Sequence, residues 1–305
     1  MSYTLAIGDY RYSSWSYRAW VLFDEFGIDR RIAGVDFGDD RSVAEMLADL
    51  GGFGSARTVP ALRIEDGGGA VALWDTLAIA ETLAERHPDL RLWPRDSRQR
   101  ALARAIVAEM HSGFGALRSA CPMNLDHAWE GFVASDAVVA DVARIERLWS
   151  LARAARTEDG PWLFGAYSIA DAFYGPVAAR IAGYRLTVGP EAADYVATHL
   201  AHGSFRRFRA MGLAEGREHD WYVLDLPRAP WPGPQSTPGE AVTSGEAINE
   251  TCPYSGKPHG NAARGRIEGR VIGFCNVFCR DKAIADPGAW PEVQALLAAS
   301  NGSAG

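Results

Sequence analysis

The hydrophobic period of this chain changes once, near residue 90, and that change limits the folds open to it. Before it, short apolar runs alternate with amphipathic stretches. YTLAIGD (3–9) reads as a buried strand, and SYRAWVLFDEFG (16–27) as a helix closed by Gly27. RRIAGVDF (30–37) is a second strand, and SVAEMLADL (42–50) a short helix. VPALRIEDGGGAVALW (59–74) is a hairpin turning at Gly67-Gly68-Gly69, and DTLAIAETLAERHP (75–88) a helix ended by Pro88. The order β-α-β-α-β-β-α predicts an α/β thioredoxin-like domain over 1–88. From 96 the apolar residues fall at i, i+3, i+4 spacing in 97–120, 134–156 and 168–183, and 191–213 keeps helical character. An all-α domain over 96–224 follows.

After 224 the composition shifts again. Residues 225–249 are rich in Pro, Gly, Ser and Thr and read as a linker. A small cysteine-containing module is expected over 250–295 and a disordered tail over 296–305. Acidic residues outnumber basic ones, 38 to 31, a net charge of −7. A nucleic acid or an anionic membrane is therefore not expected as a partner. The N-terminus has no basic segment followed by an apolar run, and no stretch of about 18 apolar residues occurs. With only four cysteines, a reducing, cytoplasmic location is expected.

Three local patterns in the first domain converge. YSSWSYRAW (12–20) puts Ser13, Ser14 and Trp15 at the start of a helix, where free N–H groups and the helix dipole favour an anion such as a thiolate. TVPAL (58–62) places Val59 and Pro60 at the opening of a strand. LWDTLAIAETL (73–83) places Asp75 and Thr76 at another helix start, suited to a carboxylate or an ammonium. The first and third patterns, each taken alone, also fit simple helix capping.

Together these motifs resemble the glutathione transferase superfamily over residues 3 to about 215. The Ser-Ser-Trp-Ser turn is similar to that of the serine-type members, including the zeta class with its Ser-Ser-Cys-Ser. SIADAFYGPV (168–177) resembles the structural capping motif of the family's helical domain. The resemblance implies a cytoplasmic, homodimeric transferase that uses glutathione against a small electrophile. It assigns the thiol contact to Ser13, with Ser14 as rival. It places Trp15, Val59, Pro60, Asp75 and Thr76 around glutathione, and His111 and Phe114 in the substrate cleft. Trp15 stands where zeta enzymes carry Cys, which weighs against maleylacetoacetate isomerisation. A non-catalytic glutathione- or metal-responsive sensor is the reading from another class.

The C-terminal cysteines form a separate signal. Cys275 and Cys279 lie one helical turn apart, and a hairpin before them could return Cys252 to the same point. Three convergent thiolates suit one soft metal ion, Zn²⁺ or Cu(I). The segment resembles small YHS and TRASH-like metal-binding modules, with FCNVFCRDKAIADP (274–287) as the shared run. Buried, metal-free thiols are the alternative, and His259 is available but unplaced as a fourth ligand.

Overall fold

Strand β1 (Ser2–Ile7) is the hub of a mixed sheet. It pairs in parallel with β2 (Arg31–Gly34) and antiparallel with β3 (Ala61–Asp66), which pairs with β4 (Gly69–Trp74), giving the order β2-β1-β3-β4. Helices α1 (Ser14–Glu25), α2 (Val43–Leu50) and α3 (Thr76–Arg86) complete the domain. This is the thioredoxin-like arrangement expected from the pattern. The computed structural model describes residues 1–260 and 262–301.

The second part of the fold is helical: α4 (Ser97–Ser112), α5 (Gly115–Ala120), α6 (Asp136–Ala155), α7 (Ile169–Gly183), α8 (Pro190–Ala201) and α9 (Gly203–Glu215). The sequence suggested one helix over 97–120, but the chain breaks at Gly113. A Cβ there would lie 2.7 Å from the Glu109 carbonyl, and Phe114 then takes a left-handed conformation that starts α5 in a new direction. A two-residue ladder joins β5 (Ala128–Trp129) to β6 (Arg228–Ala229). Among the described residues no helix is long and apolar enough to cross a membrane.

Nearly every residue of α7 is buried, in keeping with its apolar composition on all sides. Its start is fixed by a capping box between Ser168 and Asp171. The Asp171 carboxylate accepts from Leu163 N–H (3.1 Å), Ser168 N–H (2.9 Å), Ser168 O–H (3.0 Å) and Tyr195 O–H (2.8 Å). Helix α1 packs directly on α7 at Gly175, where an added Cβ would sit 2.5 Å from the Tyr17 ring.

The chain divides into two units, 1–200 with 219–232, and 201–218 with 233–305. Helix α9 thus belongs with the C-terminal unit. There it packs on α10 (Val277–Ala285), and Arg206 forms a nearly buried ion pair with Asp286 (2.6 Å) while donating to Ser236. The same unit holds a sheet of β7 (Glu240–Val242), β8 (Arg264–Ile267) and β9 (Arg270–Gly273). Glu268 and Gly269, both with positive φ, make the tight β8–β9 turn that follows the right-handed strand twist. The stretch 225–249, expected as a linker, contributes β6 to the first unit and β7 to the second. The expected tail is likewise structured in part: α11 (Pro291–Asn301) buries Leu297, and residues 302–305 lie outside the described ones. The reason is the helical spacing of Val293 and Leu297, which gives the segment an apolar face to bury.

Replacing Asp171 by Ala would strand four buried donors, each costing about 1–3 kcal/mol when left unmade. We expect Asp171→Ala to lower unfolding stability by at least about 3 kcal/mol in urea titrations. Burial, outweighing these donors, raises the Asp171 pKa from the ordinary carboxylate value to about 6. The folded state therefore holds this proton more tightly. Its contribution to stability is full below about pH 4 and is lost as the pH rises through about 6. The stability difference between wild type and Asp171→Asn should accordingly be larger at pH 4 than at pH 7.

Candidate functional site

The turn between β1 and α1 is built from hydroxyls. Ser13 caps α1: its Oγ accepts from Ser16 N–H (3.3 Å) and donates to Ser16 Oγ (2.7 Å), which also receives Gly8 N–H. Ser14 begins the helix, and its Oγ accepts from Nη2 of Arg180 (3.3 Å). Both serines line a cleft of about 450 Å³ together with Tyr12, Trp15, Val59, Arg118, Arg180 and Tyr222. Val59 reaches it from a cis Val59-Pro60 bond at the start of β3.

Asp75 caps α3 with Oδ1 on Leu77 N–H (2.8 Å) and Ala78 N–H (3.4 Å), in a left-handed conformation at φ 79°. Its other oxygen meets Nε2 of His111 at 2.9 Å. Thr76 is 1% exposed, and its Oγ1 has no hydrogen-bond partner among the described residues. His111 sits edge-on to Trp15, with ring centroids 5.3 Å apart. Asp75 is therefore linked to Trp15 through His111. Phe114 is buried and does not line the cleft, and His111 takes the side of Asp75 and Trp15.

Sequence reasoning missed two parts of this cleft. The first is a group of arginines. Arg18, 1% exposed, donates Nε to the Phe173 carbonyl (3.1 Å), while Nη1 and Nη2 have no hydrogen-bond partner among the described residues. Its guanidinium stacks on one ring contact of Trp15 (4.5 Å) and Arg118 makes another (4.4 Å). Arg180 donates to the carbonyls of Cys121 (2.8 Å) and Pro176 (3.2 Å) as well as to Ser14. Burial and the like charge of Arg118 lower the Arg180 pKa to about 10. Burial first, then Arg180 and Arg118, push Arg18 well down. An arginine in a helix is ordinarily a solvated surface residue, so nothing in the local pattern marked these three.

The second is a buried pair, Asp9 with His219, joined across most of the first unit's chain length. His219 stacks on Trp221 (4.6 Å), and Tyr222 stacks flat on Tyr12 (4.4 Å). The pair thereby fixes the segment carrying Tyr222 beside the β1–α1 turn.

In the second unit, the turn between Thr251 and Pro258 brings Cys252 to Cys275, which follows β9, and to Cys279 in α10. Their sulfur atoms all lie within 4.8 Å of one another, and Cys275 and Cys279 are 3.8 Å apart. Cys252 is buried and the other two are half-buried. Burial raises the Cys252 thiol, but backbone N–H groups of Cys275, Tyr254 and Ser255 outweigh it and leave the pKa lowered to about 7. Burial and the Cys252 charge raise Cys279 to about 12. Thiolates held by a tetrahedral metal at about 2.3 Å are about 3.8 Å apart, so the sulfur spacing fits such an ion. His259 instead bonds the Asn249 carbonyl at 2.5 Å.

Residues 12–86 match the family model for the glutathione S-transferase N-terminal domain. Among curated proteins no sequence matches the chain. Solved structures share its fold. A glutathione transferase homolog from Burkholderia gl BGR1, with bound glutathione, is 24% identical over 70% of this chain and 99% of its own, with a TM-score of 0.50. Glutathione transferase Omega 2S from Trametes versicolor, in complex with 2,4-dihydroxybenzophenone, is 20% identical over 70% of this chain and 96% of its own (TM-score 0.51). A glutathione transferase from Methylococcus capsulatus str. Bath is 19% identical over 69% and 98% (TM-score 0.50). The thioredoxin-like domain followed by a helical domain is thus the glutathione transferase fold.

Removing the imidazole from a buried carboxylate should be costly. His219→Ala is expected to destabilise the protein by roughly 3 kcal/mol. Urea unfolding followed by far-ultraviolet circular dichroism checks it; a change below about 0.5 kcal/mol, the scale of an ordinary surface substitution, would show that the pair does not hold the segment.

Proposed function

We propose that the first unit binds glutathione and directs its thiolate at a small electrophilic carbon. The observation that carries this reading is the convergence of the α1 N-terminus, both serines and Val59 on one cleft, within a region matching the glutathione S-transferase N-terminal domain. The thiol proton leaves to solvent, the sulfur electron pair forms a C–S bond, and the electrophile either loses a leaving group with its electron pair or takes a proton. Lowering a thiol pKa from about 8.5 by two units needs roughly 2.7 kcal/mol of preference for the thiolate. A hydroxyl donor and a helix N-terminus together supply energies of that size.

The hydrogen bonds favour Ser14 over Ser13 as that donor. Arg180 donates to Ser14 Oγ, which leaves the Ser14 proton to point at a sulfur. The Ser13 hydroxyl is engaged with Ser16. In this reading Val59 pairs with the cysteinyl backbone, Pro60 holds that strand opening, and Asp75 takes the ammonium of the γ-glutamyl end. The unpartnered Thr76 hydroxyl takes its carboxylate, and Trp15 walls the sulfur. The chain acts in the cytoplasm as a homodimer, which light scattering should report as twice the chain mass. With the resemblance to the zeta turn broken at Trp15, conjugation is preferred to maleylacetoacetate isomerisation. A sensor without turnover is separated by the same assay.

Ser14→Ala should cut the rate with a model electrophile by roughly 10- to 1000-fold, the range for losing a donor to an anion, and Ser13→Ala by less. A shift in the thiol pKa of bound glutathione, read by ultraviolet absorbance of the thiolate, should follow the same order. Asp75→Ala should weaken retention on immobilised glutathione. Unchanged retention would remove this pocket from the reading, and binding without turnover would favour the sensor.

A second reading rests on the three sulfurs of the second unit. We infer that Cys252, Cys275 and Cys279 hold one soft ion, Zn²⁺ or Cu(I), in a structural or sensing role. A bound ion would neutralise thiolates that otherwise repel one another. Elemental analysis of chelator-free protein should find about one ion per chain, and Cys275→Ser with Cys279→Ser should find none. Metal-free wild-type protein with all three thiols unreactive would end this reading.

A further inference from the structure

The arginines beside the serines ask for a negative charge. Arg118 and Arg180 line the same cleft as Ser13 and Ser14. Behind Trp15 lies Arg18, whose two terminal nitrogens have no hydrogen-bond partner among the described residues though the residue is 1% exposed. All the hydrogen bonds made by the three guanidiniums go to neutral oxygens: the carbonyls of Phe173, Cys121, Pro176, His111 and Gly113, and the Ser14 hydroxyl. None of the three forms an ion pair with a carboxylate among the described residues. Several other arginines of the first unit do pair with carboxylates, Arg104 with Glu81, Arg144 with Glu109 and Arg86 with Asp66, while Arg100, Arg153 and Arg156 donate to carbonyls at the surface, away from the cleft.

Gathering like charges at a half-enclosed wall without a counter-ion is unfavourable in isolation. It becomes favourable when an anion enters, because a charge-assisted bond to a guanidinium is about twice as strong as a neutral one. We propose that this cleft selects electrophiles bearing a carboxylate, held by Arg118 and Arg180 beside the reacting sulfur. Arg118 is half-exposed and stacked on Trp15, so its fork is already ordered before ligand arrives. Arg180 spans the carboxylate position and Ser14, which ties recognition of the anion to the hydroxyl proposed to hold the thiolate. The inference rests on the glutathione reading for the identity of the second substrate, and glutathione carries carboxylates of its own. The test therefore separates the two sources.

The probes are 4-methylbenzoate and its methyl ester, which differ in the anion and have no activated ring carbon for a thiolate to attack. Calorimetric binding of each is measured to the full chain, with and without saturating glutathione, alongside binding of glutathione itself. The acid should bind at least about 10-fold more tightly than the ester, the scale of one charge-assisted bond, and the preference should shrink with added salt. Arg118→Gln, at a half-exposed position where folding is retained and checked by circular dichroism, should bring the ratio towards one. Arg118→Lys should restore part of it. Equal binding of acid and ester, or binding of neither, overturns the proposal. So does an Arg118→Gln variant that weakens glutathione and leaves the acid-to-ester ratio as it was, since the arginine would then serve the glutathione carboxylate. Failure of glutathione to bind while the acid still depends on Arg118 removes the transferase reading and leaves the anion site standing.

Discussion

The first unit depends on the burial of α7. A helix with no solvent face cannot be placed by its own sequence; it takes its position from whatever surrounds it. Here its start is held by Asp171, whose carboxylate gathers four donors from three parts of the chain. Its middle is pressed against α1 through Gly175, the residue that lets the Tyr17 ring come close. Its last turns carry Arg180 to the serines at the head of α1. The energetic centre of the helical domain and the chemical centre of the candidate site are two ends of the same helix.

That arrangement gives the cleft two polar walls of different kinds. The β1–α1 turn and Val59 supply backbone and hydroxyl groups, as a thioredoxin-like domain does at this place. The helical domain supplies cations. Trp15 separates the two, with Arg18 behind it, Arg118 against it and His111 at its edge. A tryptophan tolerates this because its ring face is electron-rich and attracts guanidinium groups. The Cys found at this position in zeta-class turns offers no such face.

The second unit follows a different logic. It is small, and its sheet has only three short strands. Its stability draws on the Arg206–Asp286 pair, on the α9–α10 contact and on Lys282 held between the rings of Tyr254 (3.7 Å) and Trp290 (4.2 Å). The cysteine triad sits at the start of α10, beside the contact of Ile284 with the buried Gly265 of β8.

Much of this was legible in the sequence. Alternating strand and helix periods gave β1 to α3 in order, and Ser13, Asp75 and Ser168 announced helix starts, because capping is decided within one turn of the chain. The cysteine spacing pointed to one cluster, although Cys275 stands just before the Asn276 cap of α10 and only Cys279 lies within the helix. What stayed hidden depends on distance. Arg18, Arg118 and Arg180 come from three helices, and Asp9 meets His219 from the far end of the unit; no local pattern encodes such meetings. The segment 225–249 looked like a linker, since three-residue strands rich in turn residues carry too little periodicity to register. Local sequence set the capped helices and paired strands, whose interactions are short-ranged. Tertiary packing alone decided which charges would face the cleft, since burial belongs to surroundings that the neighbouring residues do not specify.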